Sequence, residues 1–348
     1  MKILYGVQAT GNGHITRARV MEPALAAAGV DVDYLFSGRD PAALFNMEPF
    51  GDFRCRRGLT FSYQPGGRID VPGTLLGNSL WQLWREIREL DLSGYDLVIS
   101  DFEPVTARAA RKRGLPSLGI AHQYVFNHRL PGHHQGWGTR AAIRAFAPVD
   151  LAVGLHWHHF GQPILPPLIS PPRYPVSLEA DKILVYLPYE PQDELLRWFR
   201  PFSDYRFVVY CALKEGRVIE NVDFRPFSRD GFEQDLASCA GVISNSGFGL
   251  SSETVQYGKK LLSKPYLGQV EQLSNAELMT RLGMATVMQQ QFEPRQLADW
   301  LRLPNPEPAP YPDVAGSLAR WIAGGQRETV DELARQLWDE YGEPAVAG

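Results

Sequence analysis

The sequence predicts an α/β protein of two doubly wound domains, each with a mostly parallel sheet covered by helices. Three observations lead to this fold class. Short apolar, strand-like segments alternate with helical patterns over residues 1–159, a proline-rich span interrupts the series, and a second alternating series follows over residues 182–282. The 348 residues also suffice for two domains of about 150 residues each.

The elements follow from these patterns in order along the chain. In the first series, the apolar segments predict strands at residues 2–7, 31–37, 59–63, 96–100, 117–121 and 151–155. The helical patterns between them cover residues 15–28, 75–90, 105–113 and 139–146. The second series predicts strands at residues 182–187, 206–211, 241–244 and 260–263, with helices at residues 193–199, 232–238, 250–257 and 271–282.

A proline-rich span divides the two series. Six prolines crowd residues 161–175, where neither a helix nor a central strand could continue. We therefore predict a first domain at residues 1–160, a linker at 161–178, a second domain at 179–325, and a C-terminal helix within 326–348 that could pack back on the first domain. Two such sheets are expected to face each other across a cleft at the carboxyl ends of their strands, where doubly wound sheets bind ligands.

The composition is that of a soluble globular protein, with 44% apolar residues, 21% charged residues and a net charge of −4. No run approaches the roughly 20 apolar residues of a transmembrane helix, and the strand-like start is unlike a signal peptide. The three cysteines lie far apart without a CxxC pair, which argues against disulfides and fits a reducing compartment. We expect a cytoplasmic protein without a nucleic-acid partner.

Titratable imidazole is confined to one half of the chain. All eight histidines precede residue 170. Residues 1–170 carry 17 Lys and Arg against 14 Asp and Glu, whereas residues 171–348 carry 18 against 25. This division suggests that proton chemistry belongs to the first domain, although a drift in composition between domains would give the same skew.

One segment of the second domain combines a strand, a glycine- and serine-rich loop and a helix that carries Glu253. Glycines let a phosphate approach the backbone, hydroxyls donate to its oxygens, and a helix N-terminus offers free N–H groups. Glu253 lies about one turn into the helix, where its carboxylate could accept hydrogen bonds from ribose hydroxyls. A serine-capped helix with glycines needed only for packing is the alternative interpretation.

Glu271 and Gln272 follow the next strand, at the start of another helix. A carboxylate beside a carboxamide can hold sugar hydroxyls through paired hydrogen bonds. With Asn275 and Ala276 they form the pattern Glu-Gln-x-x-Asn-Ala over residues 271–276. Together with residues 245–253, this pattern resembles the donor-binding signature of GT-B glycosyltransferases, both the UDP-dependent glycosyltransferases and the MurG-like enzymes.

The resemblance implies a GT-B fold of two Rossmann-like domains and a nucleotide-sugar co-substrate, a UDP-sugar before a TDP-sugar. It implies that Glu253 binds the ribose, that Glu271 and Gln272 bind the sugar, and that Phe227 cradles the base. The residues that would contact the diphosphate are Asn245, Ser246, Gly247, Gly249 and Ser251. The sequence departs from the family at Asn245, where many members have His, at 249–250, where they have Asn-Ser, and at 188–191, which lacks the glycine-rich turn of the MurG-like group. These departures affect the phosphate contacts.

The first βα turn ends in Gly11-Asn12-Gly13-His14 and supplies a candidate base. In the family that the chain resembles, a His after the first strand takes the proton from the acceptor hydroxyl, and imidazole suits this role near neutral pH. Asp101, after the strand at 96–100, would orient the imidazole, with Glu103 as the competing carboxylate. A capping or packing role is the alternative for His14, and a helix-capping role is the alternative for Asp101.

Other residues are expected to line the cleft. Gly11 and Gly13 belong to the first turn, and His122 and Gln123 end the strand at 117–121, where they would touch the acceptor or the donor. Both pairs lie at the carboxyl ends of predicted strands.

Two groups of histidines, His133 with His134 and His156 with His158 and His159, have a spacing that could suit a metal ion. Neither group has paired Asp, Glu or Cys residues nearby in the sequence, and GT-B enzymes typically need no metal for catalysis. We expect no metal and no cofactor apart from the nucleotide sugar. Basic and aromatic residues at 54–57 and 81–85 could contact the inner face of an anionic membrane if the acceptor is a lipid. A solvated face and a core-facing helix are the alternatives.

The sequence thus predicts an inverting, metal-independent glycosyltransferase that moves a sugar from a UDP- or TDP-sugar to a hydroxyl of a glycan, lipid or small molecule. A nucleotide-sugar hydrolase or epimerase is one alternative, because Gly11 to Arg17 also resembles UDP-sugar hydrolases. A non-catalytic nucleotide-sugar-binding protein is another, although such a protein would not need His14.

Overall fold

The computed structural model describes residues 1–60, 73, 77–132, 137–266, 268–288 and 292–342. The described residues form two compact units. The first unit takes in the chain up to Ile169 and again from Tyr311 onward, and the second comprises Ser170–Pro310. The predicted α/β class is confirmed, because each unit is built on one sheet whose strands are nearly all parallel. No helix in these described ranges is long and apolar enough to cross a membrane.

The described part of the first unit contains seven strands, all parallel, in the spatial order β3-β2-β1-β4-β5-β6-β7. The strands are β1 (Lys2–Gln8), β2 (Asp31–Ser37), β3 (Arg54–Arg56), β4 (Leu97–Asp101), β5 (Ser117–Ala121), β6 (Leu151–Leu155) and β7 (Ile164–Leu165). The helices are α1 (Asn12–Ala27), α2 (Leu80–Glu89), α3 (Pro104–Arg113) and α4 (Trp137–Phe146), with short 3₁₀ turns at Pro41–Ala43, Glu48–Phe50 and His122–Asn127. The strand order reverses between β1 and β4, so their carboxyl ends lie side by side at the position where such sheets bind ligands.

The central strands form because their residues are apolar on both faces. β4 and β5 are buried throughout their length, as parallel strands covered by helices on both sides must be. The helix α3 begins at Pro104, which is preorganised for a first helical position, and ends at Gly114, whose φ of 64° suits glycine. The core between the sheet and the helices α2 and α3 includes Leu4 and Val98.

Gly6 on β1 allows this strand to pass close to the start of α3. A Cβ at this position would lie 2.0 Å from Thr106 Oγ1 and 2.9 Å from Glu103 Oε2. We expect Gly6→Ala to lower the free energy of unfolding by about 1–3 kcal/mol, the usual cost of overpacking a core. The matched control is Gly138→Ala in α4, where a Cβ meets nothing within 4 Å and the change should be neutral or slightly stabilising. Urea unfolding of both variants checks this, and equal stabilities would contradict the expectation.

The chain returns to the first unit after residue 310. The helix α10 (Val314–Ala323) packs against α1, and α11 (Val330–Tyr341) packs against β7. The Trp338 indole N–H donates to the carbonyl of Ile164 over 2.7 Å, and Thr329 and Glu332 form a capping box at the start of α11. The C-terminal helices are therefore part of the packing of the first unit.

The second unit repeats this architecture in the order β10-β11-β9-β8-β12-β13-β14. Its strands are β8 (Glu179–Tyr186), β9 (Arg206–Cys211), β10 (Arg217–Ile219), β11 (Val222–Pro226), β12 (Cys239–Ser244), β13 (Lys260–Ser263) and β14 (Thr286–Val287). Its helices are α5 (Gln192–Phe199), α6 (Arg229–Ser238), α7 (Phe248–Gln256), α8 (Val270–Arg281) and α9 (Pro294–Leu301). Among the strands described in this unit, only the edge strand β10 runs antiparallel to its neighbour. The order reverses between β8 and β12, which again brings two carboxyl ends together.

Some sequence-based predictions differ from the structure in position. The third strand of the described residues lies at Arg54–Arg56. Of the strand predicted at 59–63, residues 59 and 60 are not in a strand, and residues 61–63 lie outside the described residues. The proline-rich span contains the two-residue strand β7, which is tolerated between Pro163 and Pro166 because it lies at the sheet edge. The strands β10 and β11 and the helices α9 and α10 were not predicted from the sequence.

Candidate active site

The first βα turn brings His14 to the carboxyl end of β1. The turn is held from outside by Arg39, which donates to Asn12 Oδ1 over 2.9 Å, and by Gln8, whose amide donates to Thr10 Oγ1 over 2.7 Å. His14 is the third residue of α1, and its side chain is 13% exposed. This placement makes one edge of the imidazole reachable while the other faces the protein.

Asp101 ends the neighbouring strand β4 and lies directly behind the imidazole. Its carboxylate is fully buried, and Oδ1 lies 2.6 Å from His14 Nδ1. A carboxylate accepts only, so we assign the proton to Nδ1, which leaves Nε2 as the acceptor of this ring. The structure therefore brings together the two residues that the sequence proposed as a base and its orienting carboxylate.

Arg17 completes the cluster from the next turn of α1. Its Nε donates to Asp101 Oδ2 over 2.7 Å and its Nη2 donates to Asp101 Oδ1 over 2.5 Å. Burial alone would raise the pKa of Asp101, but the charges of Arg17 and His14 outweigh burial and hold the pKa of this carboxyl below its ordinary value. Asp101 is thus kept ionised. Arg17 has no role in the patterns of the sequence, although its spacing of three from His14 places both side chains on one helical face.

Glu103, the competing carboxylate, has a different function in the fold. Its two oxygens accept the backbone N–H groups of Val105 and Thr106 at the start of α3, and it also accepts the Ser37 hydroxyl over 2.6 Å. Burial raises the pKa of Glu103, while these hydrogen bonds oppose the rise. Glu103 therefore caps α3 and ties it to β2, and Asp101 is the carboxylate that contacts His14.

Packing within the protein does not require glycine at either glycine position of this turn. A Cβ built on Gly11 or on Gly13 meets nothing within 4 Å. Gly11 is the N-cap of α1 and supplies no side-chain cap. The face of the turn is therefore open to a bound molecule.

His122 belongs to a buried aromatic cluster at the end of β5. It is 1% exposed, its Nδ1 lies 2.9 Å from the carbonyl oxygen of Leu155, and its ring stacks on His156 with centroids 5.5 Å apart. Burial, followed by the neighbouring His122 and His158, lowers the pKa of His156 well below its ordinary value. The neighbouring Gln123 is half-buried.

His158 and His159 stack on each other and contact Trp338 of α11. Their Nδ1 atoms accept the backbone N–H groups of Phe160 and Gly161. Within the described ranges no three His, Cys, Asp or Glu side chains come together as metal ligands. His133 and His134 lie outside the described residues.

The loop after β12 in the second unit is fixed by its own side chains. The Asn245 amide donates to the carbonyl of Lys264 over 2.8 Å, the Ser246 and Ser263 hydroxyls lie 2.7 Å apart, and the Asn275 amide donates to the carbonyl of Ser246 over 3.0 Å. These bonds use Asn245 and Ser246 to shape the loop, so their side chains are engaged within the protein. The loop leads into α7, whose N-cap, Gly247, provides no capping side chain.

Ser251, in the first turns of α7, has an unusual environment. Its side chain is fully buried, and its hydroxyl has no hydrogen-bond partner among the described residues. Burying a hydroxyl without a partner costs free energy, so such a group in a native protein calls for an explanation such as a bound ligand. The first-turn N–H groups of a helix also lack intrahelical acceptors. Helix N-termini with such unpaired donors are a common place for anions to bind.

Glu253 is half-buried on α7, near Glu233 and Arg229 of α6. Burial raises the pKa of Glu253 to about 7, the Glu233 carboxylate adds to the rise, and Arg229 opposes it. The carboxyl therefore changes its charge near neutral pH. Phe227 lies just before α6, is 45% exposed, and contacts Tyr186 in an edge-to-face arrangement with centroids 6.2 Å apart.

Glu271 and Gln272 begin α8, next to the loop that follows β13. Gln272 is 8% exposed and its Oε1 accepts the backbone N–H of Tyr266 over 3.0 Å. This bond fixes the amide with its oxygen toward Tyr266, so the amide nitrogen, which is a hydrogen-bond donor, points away from Tyr266. Glu271 is half-buried in the first turn of the helix.

Two doubly wound units, one with a paired His and Asp at its first βα turn and the other with a glycine- and serine-rich loop that leads into a helix, have the architecture of GT-B glycosyltransferases. The chain matches the family model described as glycosyl transferase family 1 over residues 1–304. It therefore belongs to glycosyl transferase family 1 and is a glycosyltransferase. No curated protein sequence matches the chain significantly.

Solved structures confirm the GT-B fold. The kitacinnamycin glycotransferase is 16% identical, with a TM-score of 0.58 and coverage of 98% of this chain and 99% of that one. UGT89C1 of Arabidopsis thaliana, solved with UDP, is 14% identical, with a TM-score of 0.58 and coverage of 97% and 98%. The glycosyltransferase VinC, solved with dTDP, is 16% identical, with a TM-score of 0.53 and coverage of 97% and 96%.

Proposed function

We propose that this glycosyltransferase moves a sugar from a UDP- or TDP-sugar to a hydroxyl of its acceptor in one inverting displacement that uses no metal ion. The single observation that carries the proposal is the 2.6 Å contact between His14 Nδ1 and Asp101. It leaves Nε2 as a proton acceptor on a partly exposed ring edge. The choice of nucleotides is supported by the similar proteins UGT89C1 and VinC, which were solved with UDP and dTDP.

In the proposed reaction the acceptor O–H gives its proton to His14 Nε2, and its oxygen bonds to the anomeric carbon of the donor. The bond from that carbon to the β-phosphate oxygen breaks, and the nucleoside diphosphate leaves with the electron pair. The imidazolium that forms is stabilised by Asp101, which remains ionised. Because the attack comes from the face opposite the leaving group, the anomeric configuration inverts.

The second unit would hold the donor. The N–H groups at the start of α7 would donate to the diphosphate, whose negative charge grows as the bond breaks, and the Ser251 hydroxyl would join them once its side chain rotates out of its buried position. The backbone around Gly247 and Gly249 is open for this approach, since a Cβ at either position meets nothing within 4 Å. Glu253 would accept ribose hydroxyls, Glu271 and Gln272 would hold the sugar, and Phe227 would lie against the base. Asn245 and Ser246 would act by shaping the loop.

In the first unit, the acceptor would approach over the open turn at Gly11 and Gly13. His122 is buried at the end of β5, so the half-buried Gln123 beside it is the residue of this pair that would reach a ligand. The identity of the acceptor is left open between a glycan, a lipid and a small molecule.

The location that we propose is the cytoplasm, because Cys55, Cys211 and Cys239 are all free thiols. For a lipid acceptor, peripheral membrane contact would use α2, on which the exposed Trp81 and Trp84 lie under the guanidinium groups of Arg85 and Arg88. Sedimentation with vesicles containing anionic lipid tests this contact, and a protein that stays in the supernatant at low salt would refute it.

A panel of UDP-, TDP- and GDP-sugars in a thermal-shift measurement tests the donor assignment. A ligand present at about 100 times its dissociation constant stabilises the protein by about 2.7 kcal/mol. We expect a rise in Tm with UDP- or TDP-sugars and none with GDP-sugars. No rise with any of them would contradict the proposal.

Donor binding should depend on pH through Glu253. Only the ionised carboxylate accepts both ribose hydroxyls, and the pKa of Glu253 is about 7. Affinity should therefore increase as pH rises through 7 and level off above it, with a loss approaching tenfold per pH unit below it. Calorimetry with a nucleotide sugar measures this, because its diphosphate diester does not ionise in this range.

Two variants serve as controls for the role of Glu253. Glu253→Gln should bind more weakly and without this pH dependence. Glu233→Gln, which removes the neighbouring carboxylate, should shift the midpoint to lower pH. A pH dependence that survives in Glu253→Gln would assign it to another group.

A further inference from the structure

Arg17 holds the carboxylate that orients the candidate base. The side chain is 7% exposed, and its Nε and Nη2 both donate to Asp101, one to each oxygen. Nη2 also lies 3.0 Å from His14 Nδ1. Since Nδ1 carries a proton toward Asp101, this last approach is a contact between a cation and the ring and not a hydrogen bond. Asp101 is therefore shared by two partners on the same helical face.

The sharing changes the electrostatics of the imidazole. A lone carboxylate at 2.6 Å would strongly favour the protonated ring, because opposite charges attract with an energy that grows as the distance and the local dielectric fall. A guanidinium is always charged in proteins, and here it lies against the same carboxylate and close to the ring. Its positive charge acts on the ring in the direction opposite to the charge of Asp101. With a neutral ring, the charges of Arg17 and Asp101 cancel and the three residues carry no net charge. Protonation of the ring gives the group a net charge of +1 and places the imidazolium close to the guanidinium.

Other groups around the pair add little charge of their own. Burial raises the pKa of Tyr5, which lies on β1, and the pKa of Tyr124, which follows β5, so both phenols are neutral at ordinary pH. Glu103, which interacts with Tyr124, is taken up by its own hydrogen bonds at the start of α3. Among the described residues, Asp101 and Arg17 are the charged groups that contact the His14 ring.

We propose that Arg17 is a positioning residue that keeps the His14 imidazole in its neutral, proton-accepting form while fixing the plane of Asp101. The inference rests on the proposed function of His14 as the base. Charge and geometry make separate contributions. The positive charge opposes protonation of the ring, and the two parallel N–H···O bonds of the guanidinium fork hold the carboxylate in one orientation.

Substitutions at Arg17 separate the two contributions. Arg17→Gln removes the charge, so the titration midpoint of the imidazole should rise by about one to two pH units. The acid limb of the pH profile of kcat/KM should move by the same amount. Arg17→Lys keeps the charge but not the fork, so the midpoint should return close to that of the natural protein while kcat stays reduced.

The midpoint is read by NMR titration of the ring protons without any substrate. The signal of His14 among the eight histidines is identified by its absence from His14→Ala. An unchanged midpoint in Arg17→Gln would overturn the inference even if transfer activity is established. A shifted midpoint in a protein that transfers no sugar would instead contradict the proposed function and leave the electrostatic role of Arg17 in place.

A second pair of variants covers the case in which Arg17→Gln does not fold. Asp101→Asn leaves the cation beside the ring and should lower the midpoint, whereas Asp101→Asn with Arg17→Gln removes both charges and should bring it back up by about one to two pH units. Identical midpoints in these two proteins would overturn the inference.

Discussion

His14→Ala should lower turnover by about 10²–10⁴, the range expected when a general base is lost, while the dissociation constant for the nucleotide sugar stays nearly unchanged. The reason is the separation of tasks between the two units. The imidazole lies at the start of α1 in the first unit, and the loop and helix proposed to hold the donor lie in the second. Steady-state kinetics combined with calorimetry of donor binding measures both quantities.

His128→Ala is the matched control for this change. His128 is another half-buried histidine of the first unit, and it follows the 3₁₀ turn at His122–Asn127. It should keep turnover within a few fold of the natural protein. If His14→Ala turned over as fast as His128→Ala, His14 would have no part in proton transfer.

Asp101→Ala should produce the largest loss of stability of any change at the site, about 3–5 kcal/mol in the free energy of unfolding. The substitution leaves the buried Arg17 guanidinium without its two carboxylate contacts. Adding Arg17→Met in the same chain removes the stranded charge and should restore a large part of the loss. Urea unfolding of the single and double variants measures this coupling. A double variant less stable than Asp101→Ala would show that the two residues do not depend on each other.

Because of the same ion pair, the free energy of unfolding should decrease as the pH falls into the acid range. Because the pKa of Asp101 is lowered in the folded protein, its contribution to stability is present above the carboxyl's ordinary value of 3.8 and is lost as pH falls through the folded-state pKa. The difference in the free energy of unfolding between the natural protein and the Arg17→Met, Asp101→Ala double variant should therefore shrink as the pH falls through the folded-state pKa of Asp101.

The sequence was sufficient to place His14 near the carboxylates that follow the strand at 96–100, although 87 positions separate His14 from Asp101. Both follow strands, and the reversal of strand order in a doubly wound sheet places the ends of β1 and β4 side by side. The choice between Asp101 and Glu103 needed the structure. Either carboxylate could cap the helix that follows, and only the backbone path decides which one turns toward α3. The positive φ of 53° at Phe102, between them, marks that turn.

The environments of side chains were less accessible from the sequence. The spacing of Arg17 places it on the face of His14, but nothing in the spacing identifies Asp101 as its partner. His122 ends a strand, as predicted, and yet its ring is buried among His156 and other aromatic groups. Likewise the sequence proposes Asn245 as a phosphate ligand, and only the structure shows that its amide donates to the carbonyl of Lys264. These outcomes depend on tertiary contacts that no local pattern encodes.

Some short strands, and one helix that belongs to the first unit but follows the second in the chain, were not predicted from the sequence, for physical reasons. The strands β10 and β11 have three and five residues, which is too little for a period to stand out. The helix α10 belongs to the first unit although it follows the second in the chain, because its apolar face packs on α1.

The acceptor dependence of nucleoside diphosphate release tests the central claim most directly. A UDP-sugar, or whichever donor gives the largest rise in Tm, is incubated with the protein in the presence and absence of a panel of hydroxyl-bearing acceptors. We predict slow release without an acceptor and release at least about tenfold faster with one member of the panel, with the sugar recovered on that acceptor in inverted configuration. Full-speed release of free sugar without any acceptor would contradict the account and identify water as the natural acceptor.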